Sequence, residues 1–356
     1  MVNQLTSLAR RQAAKYGNRE VFSHKDYSTN RWVSTSWNRF AEQVSDMAKA
    51  MVILGIREEE NISTYTQNKP EGLIVDFAAF DNRAVTVPLY PTSSLDQIKY
   101  IIDEAEIRFL FVGGQVQYDN AIIALRECPT LEKLILFDPD IKRAESDSSS
   151  VYFEDLIAMG KSADEKVSEE VERRRNAGSP DDLATLIYTS GTTGFPKGVM
   201  LTEENVLTAV SDIAAYFDIG GDDTILIPRP LYHCAVLTGE FLTAIFKGCR
   251  ICFYSGALNP VAVTELVRLC GATVLCGTPT FWRLLISFMR RAGTMLPLGK
   301  IQVSGECLDC DTAYALADMF PAAKIYSVYG LTEASPRVSA LPPELFPKRC
   351  DSVGLP

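Results

Sequence analysis

Residues 187–200 read Ile-Tyr-Thr-Ser-Gly-Thr-Thr-Gly-Phe-Pro-Lys-Gly-Val-Met, and the interpretation of the whole chain begins from this stretch. Small hydroxyl side chains, loop glycines and a lysine fall between Thr189 and Lys197. Glycine lets the backbone approach an anion and adopt positive φ, while N–H groups, hydroxyls and lysine hold phosphate oxygens. The stretch therefore predicts a loop that wraps a polyphosphate. A flexible turn between a strand and a helix is the plain structural alternative.

Two familiar phosphate-binding patterns do not fit this loop. A Walker A loop needs Gly-Lys-Ser/Thr after four free positions, but here Pro196 precedes Lys197 and Gly198 follows it. The dinucleotide fingerprint Gly-x-Gly-x-x-Gly is also missing from the stretch. The loop must therefore belong to another class.

Four more segments follow in order along the chain: Pro230-Leu231-Tyr232-His233, Ser304-Gly305-Glu306-Cys307, Tyr329-Gly330-Leu331-Thr332-Glu333 and Ser352-Val353-Gly354-Leu355-Pro356. Together with the loop they resemble the signatures of the adenylate-forming superfamily. That family includes acyl-CoA synthetases, aryl-CoA ligases, beetle luciferases and the adenylation domains of peptide synthetases. The resemblance covers nearly the whole chain.

The resemblance implies a two-step reaction. A carboxylate oxygen attacks the α-phosphorus of ATP, which gives an acyl-adenylate and pyrophosphate, and the thiol of coenzyme A or a carrier pantetheine then attacks the acyl carbon. The implied ligands are ATP, Mg²⁺, a small carboxylic acid and the thiol acceptor. Both steps depend mainly on neutralising charge on oxygen atoms.

The resemblance also implies roles for individual residues. It assigns phosphate contacts to Thr189, Ser190, Gly191, Thr192, Thr193, Gly194 and Lys197. It assigns the adenine site to Gly305, Glu306, Cys307 and Tyr329, with Gly330 in the turn that follows.

Three residues are implied to act at the reacting atoms. Thr332 would touch the α-phosphate and Glu333 would hold Mg²⁺, although a Thr-Glu pair also suits a helix cap and first turn. His233 would lie near the acyl carbon, and a packed core histidine is its alternative. The sequence departs from the family at Glu203, where histidine is frequent.

The order of elements predicts an α/β fold. Nine β-rich runs alternate with helical patterns: Ala84–Leu89, Phe109–Val112, Leu134–Phe137, Leu186–Thr189, Thr224–Ile227, Ile251–Tyr254, Thr273–Leu275, Lys300–Val303 and Ile325–Val328. Such alternation favours mostly parallel sheets flanked by helices. A charged stretch at 164–180 is predicted to be a solvated helix or loop.

The resemblance implies two stacked βα subdomains. One would use residues 64–224, and the other would use 1–63 together with 225–345. Residues 346–356 would begin a further subdomain, and a mobile C-terminal lid would follow beyond Pro356. On this expectation the chain of 356 residues is an N-terminal fragment with little activity by itself.

The composition limits which binding partners and which cellular compartment we expect for this protein. The net charge of −10 does not indicate a nucleic-acid-binding protein, because such proteins have a clustered basic face. Nine cysteines, without an evident disulfide framework, predict a reduced, cytoplasmic protein. The pairs Cys249/Cys252 and Cys307/Cys310 are not expected to chelate a metal. No transmembrane segment is expected, although family members that use long acyl chains contact membranes.

Three functions stay open at this point. The leading one is acyl-CoA or acyl-carrier ligation, because the segment Leu231–Gly239 lacks the aspartate that would hold an amino acid's ammonium group. Apolar residues there and in Phe241–Phe246 fit an acyl or aryl group. The second function is amino-acid activation within a peptide synthetase. The third is a non-catalytic nucleotide-binding remnant.

Overall fold

A computed structural model describes residues 4–26, 31–189, 195–256 and 259–356. The strands in this part of the chain are β1 (Glu20–Asp26), β2 (Arg31–Ser36), β3 (Asn61–Tyr65), β4 (Val85–Leu89), β5 (Phe109–Val112), β6 (Lys133–Leu136), β7 (Val151–Tyr152), β8 (Leu183–Thr189), β9 (Lys197–Thr202), β10 (Thr224–Ile227), β11 (Arg250–Phe253), β12 (Val274–Gly277), β13 (Lys300–Val303), β14 (Lys324–Tyr329) and β15 (Ser339–Leu341).

Helices connect most of these strands. They are α1 (Leu8–Tyr16), α2 (Trp37–Ile53), α3 (Pro70–Asp81), α4 (Leu95–Glu104), α5 (Gln115–Glu127), α6 (Phe153–Lys161), α7 (Glu165–Asn176), α8 (Glu203–Tyr216), α9 (Cys234–Val236), α10 (Thr243–Lys247), α11 (Pro260–Cys270), α12 (Pro279–Ala292) and α13 (Cys310–Met319). A π-helical turn, Leu237–Leu242, joins α9 to α10, and 3-10 turns occupy Thr332–Ala334 and Pro343–Leu345.

Local sequence signals account for several helix ends. Ser94 forms a capping box with Gln97 at the start of α4, as the spacing predicts. The Thr202 hydroxyl accepts a hydrogen bond from the backbone N–H of Asn205 at the start of α8. Helix α11 begins after Asn259, whose side chain accepts from a backbone N–H, and ends at Gly271 with φ 62°.

The structure divides into two compact units. Unit 1 comprises residues 1–18 and 37–207, and unit 2 comprises 19–36 and 208–356. These boundaries differ from the expected division, which grouped 1–63 with the second half. Residues 37–63 belong to unit 1 because β3 pairs with β4 and β5 and α2 packs on α3 and α6.

Unit 1 contains a seven-stranded sheet in the order β7-β6-β5-β3-β4-β8-β9. All neighbours are parallel except the hairpin of β8 and β9. Its core includes apolar residues from β5, α4 and α5, such as Leu110, Ile102 and Ala121. Parallel strands covered by helices confirm the predicted α/β class.

Unit 2 contains an eight-stranded sheet in the order β15-β14-β13-β12-β10-β11-β1-β2. The six central strands are parallel to one another, and β15 and β2 close the edges in antiparallel orientation. Trp282 of α12 packs in its core beside Leu275 and Ile301. Because β10, β13 and β14 are parallel, the segments after their carboxyl ends lie along one edge of the sheet.

The charged stretch near α7 is more buried than predicted. Arg175 is 9% exposed and forms an ion pair with Asp81 at 2.6 Å. Arg174 donates to the backbone carbonyl of Ile56 at 2.8 Å. Most of α7 is solvent-accessible, as predicted for a solvated helix, but two of its three consecutive arginines pack into unit 1.

The cysteine prediction also needs correction. Cys310, at the start of α13, forms a disulfide with Cys350, 40 residues later. Cys310 is thus unavailable to pair with Cys307, which stays a free, exposed thiol.

No group of three or more histidine, cysteine or acidic side chains in the described part of the chain is arranged to hold a metal ion. Among the helices at the described positions, none has the length and apolar character that spanning a bilayer requires.

Candidate functional site

The predicted phosphate loop joins the two strands of an antiparallel hairpin in unit 1. Thr189 ends β8 and is paired across the hairpin with Lys197, the first residue of β9. Lys197 is exposed, so its ammonium group is accessible to a ligand. Ser190, Gly191, Thr192, Thr193 and Gly194 lie outside the described residues, and their roles stay predictions.

Aromatic residues support the exit of this loop. Phe195 stacks on Tyr100 with ring centroids 5.1 Å apart, and the Tyr100 hydroxyl donates to the carbonyl of Pro196 at 3.2 Å. A Cβ at Gly198 would lie 3.2 Å from the ring of Tyr188 on the partner strand. These contacts fix the backbone that carries Lys197 into β9.

The predicted adenine loop follows β13 in unit 2. Gly305 has φ of +94°, a conformation that side chains rarely adopt, so a glycine is required there for backbone reasons. Glu306 accepts hydrogen bonds from the backbone and the hydroxyl of Thr280. The Ser304 hydroxyl is buried and accepts from Arg229 at 3.2 Å. The loop is thereby held on both sides, while Glu306 and Cys307 stay exposed.

The second predicted nucleotide segment follows β14. Tyr329 ends this strand with 47% of its surface exposed, enough for its ring to be accessible to a base. A Cβ at Gly330 would lie 1.8 Å from the carbonyl oxygen of Pro336, so only glycine fits this close approach. The chain then enters the 3-10 turn that carries Thr332 and Glu333. Glu333 is exposed and lies in the first turn of this 3-10 segment, so the first-turn acid stays an alternative to the metal role.

The donor set on this turn is suitable for magnesium. A threonine hydroxyl and an exposed glutamate carboxylate supply hard oxygen atoms, which Mg²⁺ prefers together with phosphate oxygens. The close approach of the backbone at Gly330 to the carbonyl of Pro336 fixes the position of the turn that carries both residues. The residues present therefore fit the metal that the sequence resemblance implies.

His233 precedes α9, after the carboxyl end of β10. Its ring lies 4.7 Å from that of Tyr232. The side chain reaches solvent, yet desolvation by surrounding protein atoms and the nearby Arg229 charge lower its pKa. The imidazole is thus favoured in its neutral form, and its exposure argues against a packed core histidine.

Sequence reasoning missed a buried ion pair beside His233. Arg229 Nε donates to Glu240 Oε1 at 2.8 Å, and Glu240 is fully buried in the π-helical turn. A burial rule could have found it, because an arginine and a glutamate within an apolar stretch must find partners.

Phe241 was expected to suit an acyl group, but it packs in the core against Phe22 and Phe253.

A second arginine lies near the same helix. Arg337 donates to the carbonyl of Ala235 at 3.4 Å and to the Tyr216 hydroxyl at 3.3 Å. Both Arg337 and Glu333 act electrostatically on the thiol of Cys234, the residue after His233. Within unit 2, the structure therefore brings the 3-10 turn and the His233 segment close together.

Comparison with known proteins agrees with the family resemblance. The family model described as AMP-binding enzyme matches residues 9–356. Fatty acyl-CoA synthetase A of Dictyostelium discoideum is 30% identical over 272 residues, which are 76% of this chain and 39% of that protein. The matched region is thus well under half of that relative's length.

Two solved structures share the fold. The anthranilate CoA ligase AuaEII, in complex with anthranoyl-AMP, superposes with a TM-score of 0.85 at 18% identity. That match covers 99% of this chain and 64% of the ligase. VinN in complex with L-aspartate gives a TM-score of 0.79 at 23% identity, covering 99% of this chain and 82% of VinN.

Proposed function

Because this chain belongs to the AMP-binding enzyme family, we propose that it takes part in the ATP-dependent activation of a carboxylic acid. The acid would become an acyl-adenylate, and its acyl group would then pass to the thiol of coenzyme A or a carrier pantetheine. The main support is that three segments of unit 2, around His233, Gly305 and Thr332, follow the carboxyl ends of parallel strands in one sheet. Ligands of open α/β sheets bind at that edge.

Each segment has a part in this proposal. Tyr329 stacks on the adenine, and the backbone at Gly305 lines the other side of the base. The Thr332 hydroxyl donates to the α-phosphate, and Glu333 holds Mg²⁺, which neutralises phosphate charge when bound. Lys197 contacts the β- and γ-phosphates together with the Thr189–Gly194 loop. Such contacts stabilise charge on oxygen as the carboxylate attacks the α-phosphorus and pyrophosphate leaves.

His233 acts on the acyl half of the reaction. A neutral imidazole can donate a hydrogen bond from one nitrogen and accept one at the other. The lowered pKa of His233 favours this state at neutral pH. In the second step the thiol gives up its proton to solvent, its sulfur bonds to the acyl carbon, and AMP leaves with the electron pair of the broken C–O bond.

The test compares ATP with AMP in the Lys197→Ala variant. Lys197 would face phosphates that AMP lacks, so we expect about 10- to 100-fold weaker ATP binding and nearly unchanged AMP binding by calorimetry. Lys166→Ala, at an exposed position of α7, is the matched control and should leave both affinities unchanged. Equal weakening of ATP and AMP would remove Lys197 from the phosphate site.

The proposal also distinguishes acyl from amino-acid activation. A pyrophosphate-exchange screen with fatty, aryl and amino acids separates the two, because only the true substrate supports exchange. ATP binding without exchange for any acid would instead favour the non-catalytic remnant.

A further inference from the structure

Unit 2 contains a buried polar cluster that the nucleotide roles leave unexplained. It consists of Arg229, Glu240, Cys276 and Gln302, and we call it the polar cluster. Glu240 and Gln302 have no exposed surface. Polar groups buried to this degree normally have their hydrogen bonds satisfied. The cluster therefore requires a physical account.

The ion pair satisfies only half of the Glu240 carboxylate. Two nitrogens of the Arg229 guanidinium contact the same oxygen, Oε1, one of them at 2.8 Å. The third nitrogen donates to the Ser304 hydroxyl. Glu240 Oε2 has no hydrogen-bond partner among the described residues. The pair is thus neutral overall. Besides the arginine, only the weak S–H donor of Cys276 reaches this carboxylate among the described residues, so Oε2 lacks a strong donor.

Gln302 shows the complementary deficiency. Its carbonyl Oε1 accepts from the Tyr216 hydroxyl at 3.4 Å, whereas its amide nitrogen, Nε2, has no partner at the described positions. Gln302 is directly opposite Cys276 on adjacent strands, so both side chains point to the same face. Burial, then the charge of Glu240 and, to a smaller extent, a hydrogen bond to the Glu240 carboxylate raise the pKa of the Cys276 thiol. Glu240 and Gln302 therefore both lie beside Cys276.

The polar cluster is bounded by segments of the proposed site. Arg229 is four residues before His233 and lowers the pKa of that histidine. Gln302 is two residues before Ser304, at the start of the proposed adenine loop, and Ser304 also bonds to Arg229. The spare acceptor and the spare donor are thus close to the place proposed for the acyl group.

A hydroxyl group matches this pair of atoms, because it donates one hydrogen bond and accepts others. A plain hydrocarbon chain would leave both atoms unpaired, which is unfavourable. An ammonium group could not accept from Gln302 and would add a cation near Arg229. We propose that the acid activated by this chain carries a hydroxyl group, which donates to Glu240 Oε2 and accepts from Gln302 Nε2. This inference rests on the proposed function and makes the substrate a hydroxylated acid.

The experiment uses stable mimics of the acyl-adenylate, the 5′-O-(N-acylsulfamoyl)adenosines, with the whole chain. The probes are butanoyl and pentanoyl mimics and their 3-, 4- and 5-hydroxy derivatives. Calorimetry should show at least one hydroxylated probe binding about 10-fold more tightly than its parent. Gln302→Met should remove most of that difference. Gln117→Met, a buried glutamine of unit 1, is the matched control and should keep the difference.

The outcomes separate the two proposals. If acyl probes bind more tightly than AMP but hydroxylation never helps, bound water satisfies the cluster and the inference is wrong. If a 4-aminobutanoyl probe binds most tightly, the substrate is an amino acid and the inference is also wrong. If no acyl probe exceeds AMP, the proposed function itself fails. The wild-type comparison decides among these results even if Gln302→Met does not fold.

Discussion

Replacement of Glu203 by glutamine should stabilise unit 1 at alkaline pH. Glu203 occupies the first turn of α8, beyond the phosphate-loop hairpin, at the position where the sequence departs from the family. It is 4% exposed, and its carboxylate accepts from the backbone N–H of Leu5 at 3.2 Å. Glutamine keeps an acceptor of the same shape without the buried charge.

The magnitude follows from the pKa of this carboxyl. Burial raises the pKa of Glu203 from 4.5 to about 7, against the opposing effect of the Leu5 and Thr6 backbone N–H groups. Each pKa unit corresponds to about 1.36 kcal/mol, which gives at most about 3 kcal/mol. The folded state binds the proton more tightly than the unfolded state. The contribution of Glu203 to stability is therefore full below pH 4.5 and falls as the pH rises to about 7.

The assay measures melting temperature across pH 5 to 8.5 for the wild type and Glu203→Gln. At roughly 2–4 °C per kcal/mol, the variant should melt higher by roughly 6–12 °C at pH 8.5. At pH 5 the two proteins should differ by less than about 1 kcal/mol in free energy of unfolding. Glu204→Gln, at the neighbouring exposed position, is the control and should show little change at any pH. A pH-independent difference, or a less stable variant at pH 8.5, would refute the reasoning.

Three further predictions concern unit 2. Glu333→Gln should make ATP binding nearly independent of Mg²⁺ while the fold stays intact, and coinciding Mg²⁺ titrations for both proteins would leave Glu333 without a metal role. His233→Ala should weaken binding of an acyl-adenylate mimic but not of AMP, and a loss of AMP affinity or a large fall in melting temperature would return His233 to a structural role. Cys350→Ser should destabilise the protein by up to about 4 kcal/mol, from the loop entropy of 40 residues. Unchanged melting under non-reducing conditions would contradict that effect.

The alternating pattern predicted most of the central strands. All nine predicted runs coincide with observed strands, and β5, β10 and β13 have the predicted ends. These strands are apolar and buried, so a short run of apolar residues is enough to predict each of them. Six of the described strands were missed: β1, β2, β3, β7, β9 and β15. Strand β2 is mostly solvent-accessible, and β15 has only three residues, so neither gives a long apolar run.

Pairing between distant residues was harder to predict. The disulfide joins Cys310 to Cys350, and Cys310 had seemed related to Cys307 by its spacing. A pair of cysteines three residues apart is visible in the sequence. Two cysteines 40 residues apart come into contact only because the chain folds, so the sequence alone does not show that they pair. The same limit applies to Arg175 and Asp81, which are 94 positions apart. Charge content predicted a solvated segment there, which holds for most of α7, but it did not predict the tertiary contacts of Arg174 and Arg175.

The polar cluster shows where sequence reasoning ends. Glu240 is the only acidic residue between Thr224 and Val263, and a buried carboxylate in such a stretch must be paired. That rule predicts a basic partner and makes Arg229 a natural candidate. It does not predict that both guanidinium contacts fall on one oxygen. The second carboxylate oxygen and the amide nitrogen of Gln302 lack strong partners because of the folded geometry, and the proposed hydroxyl combines that geometry with the proposed function.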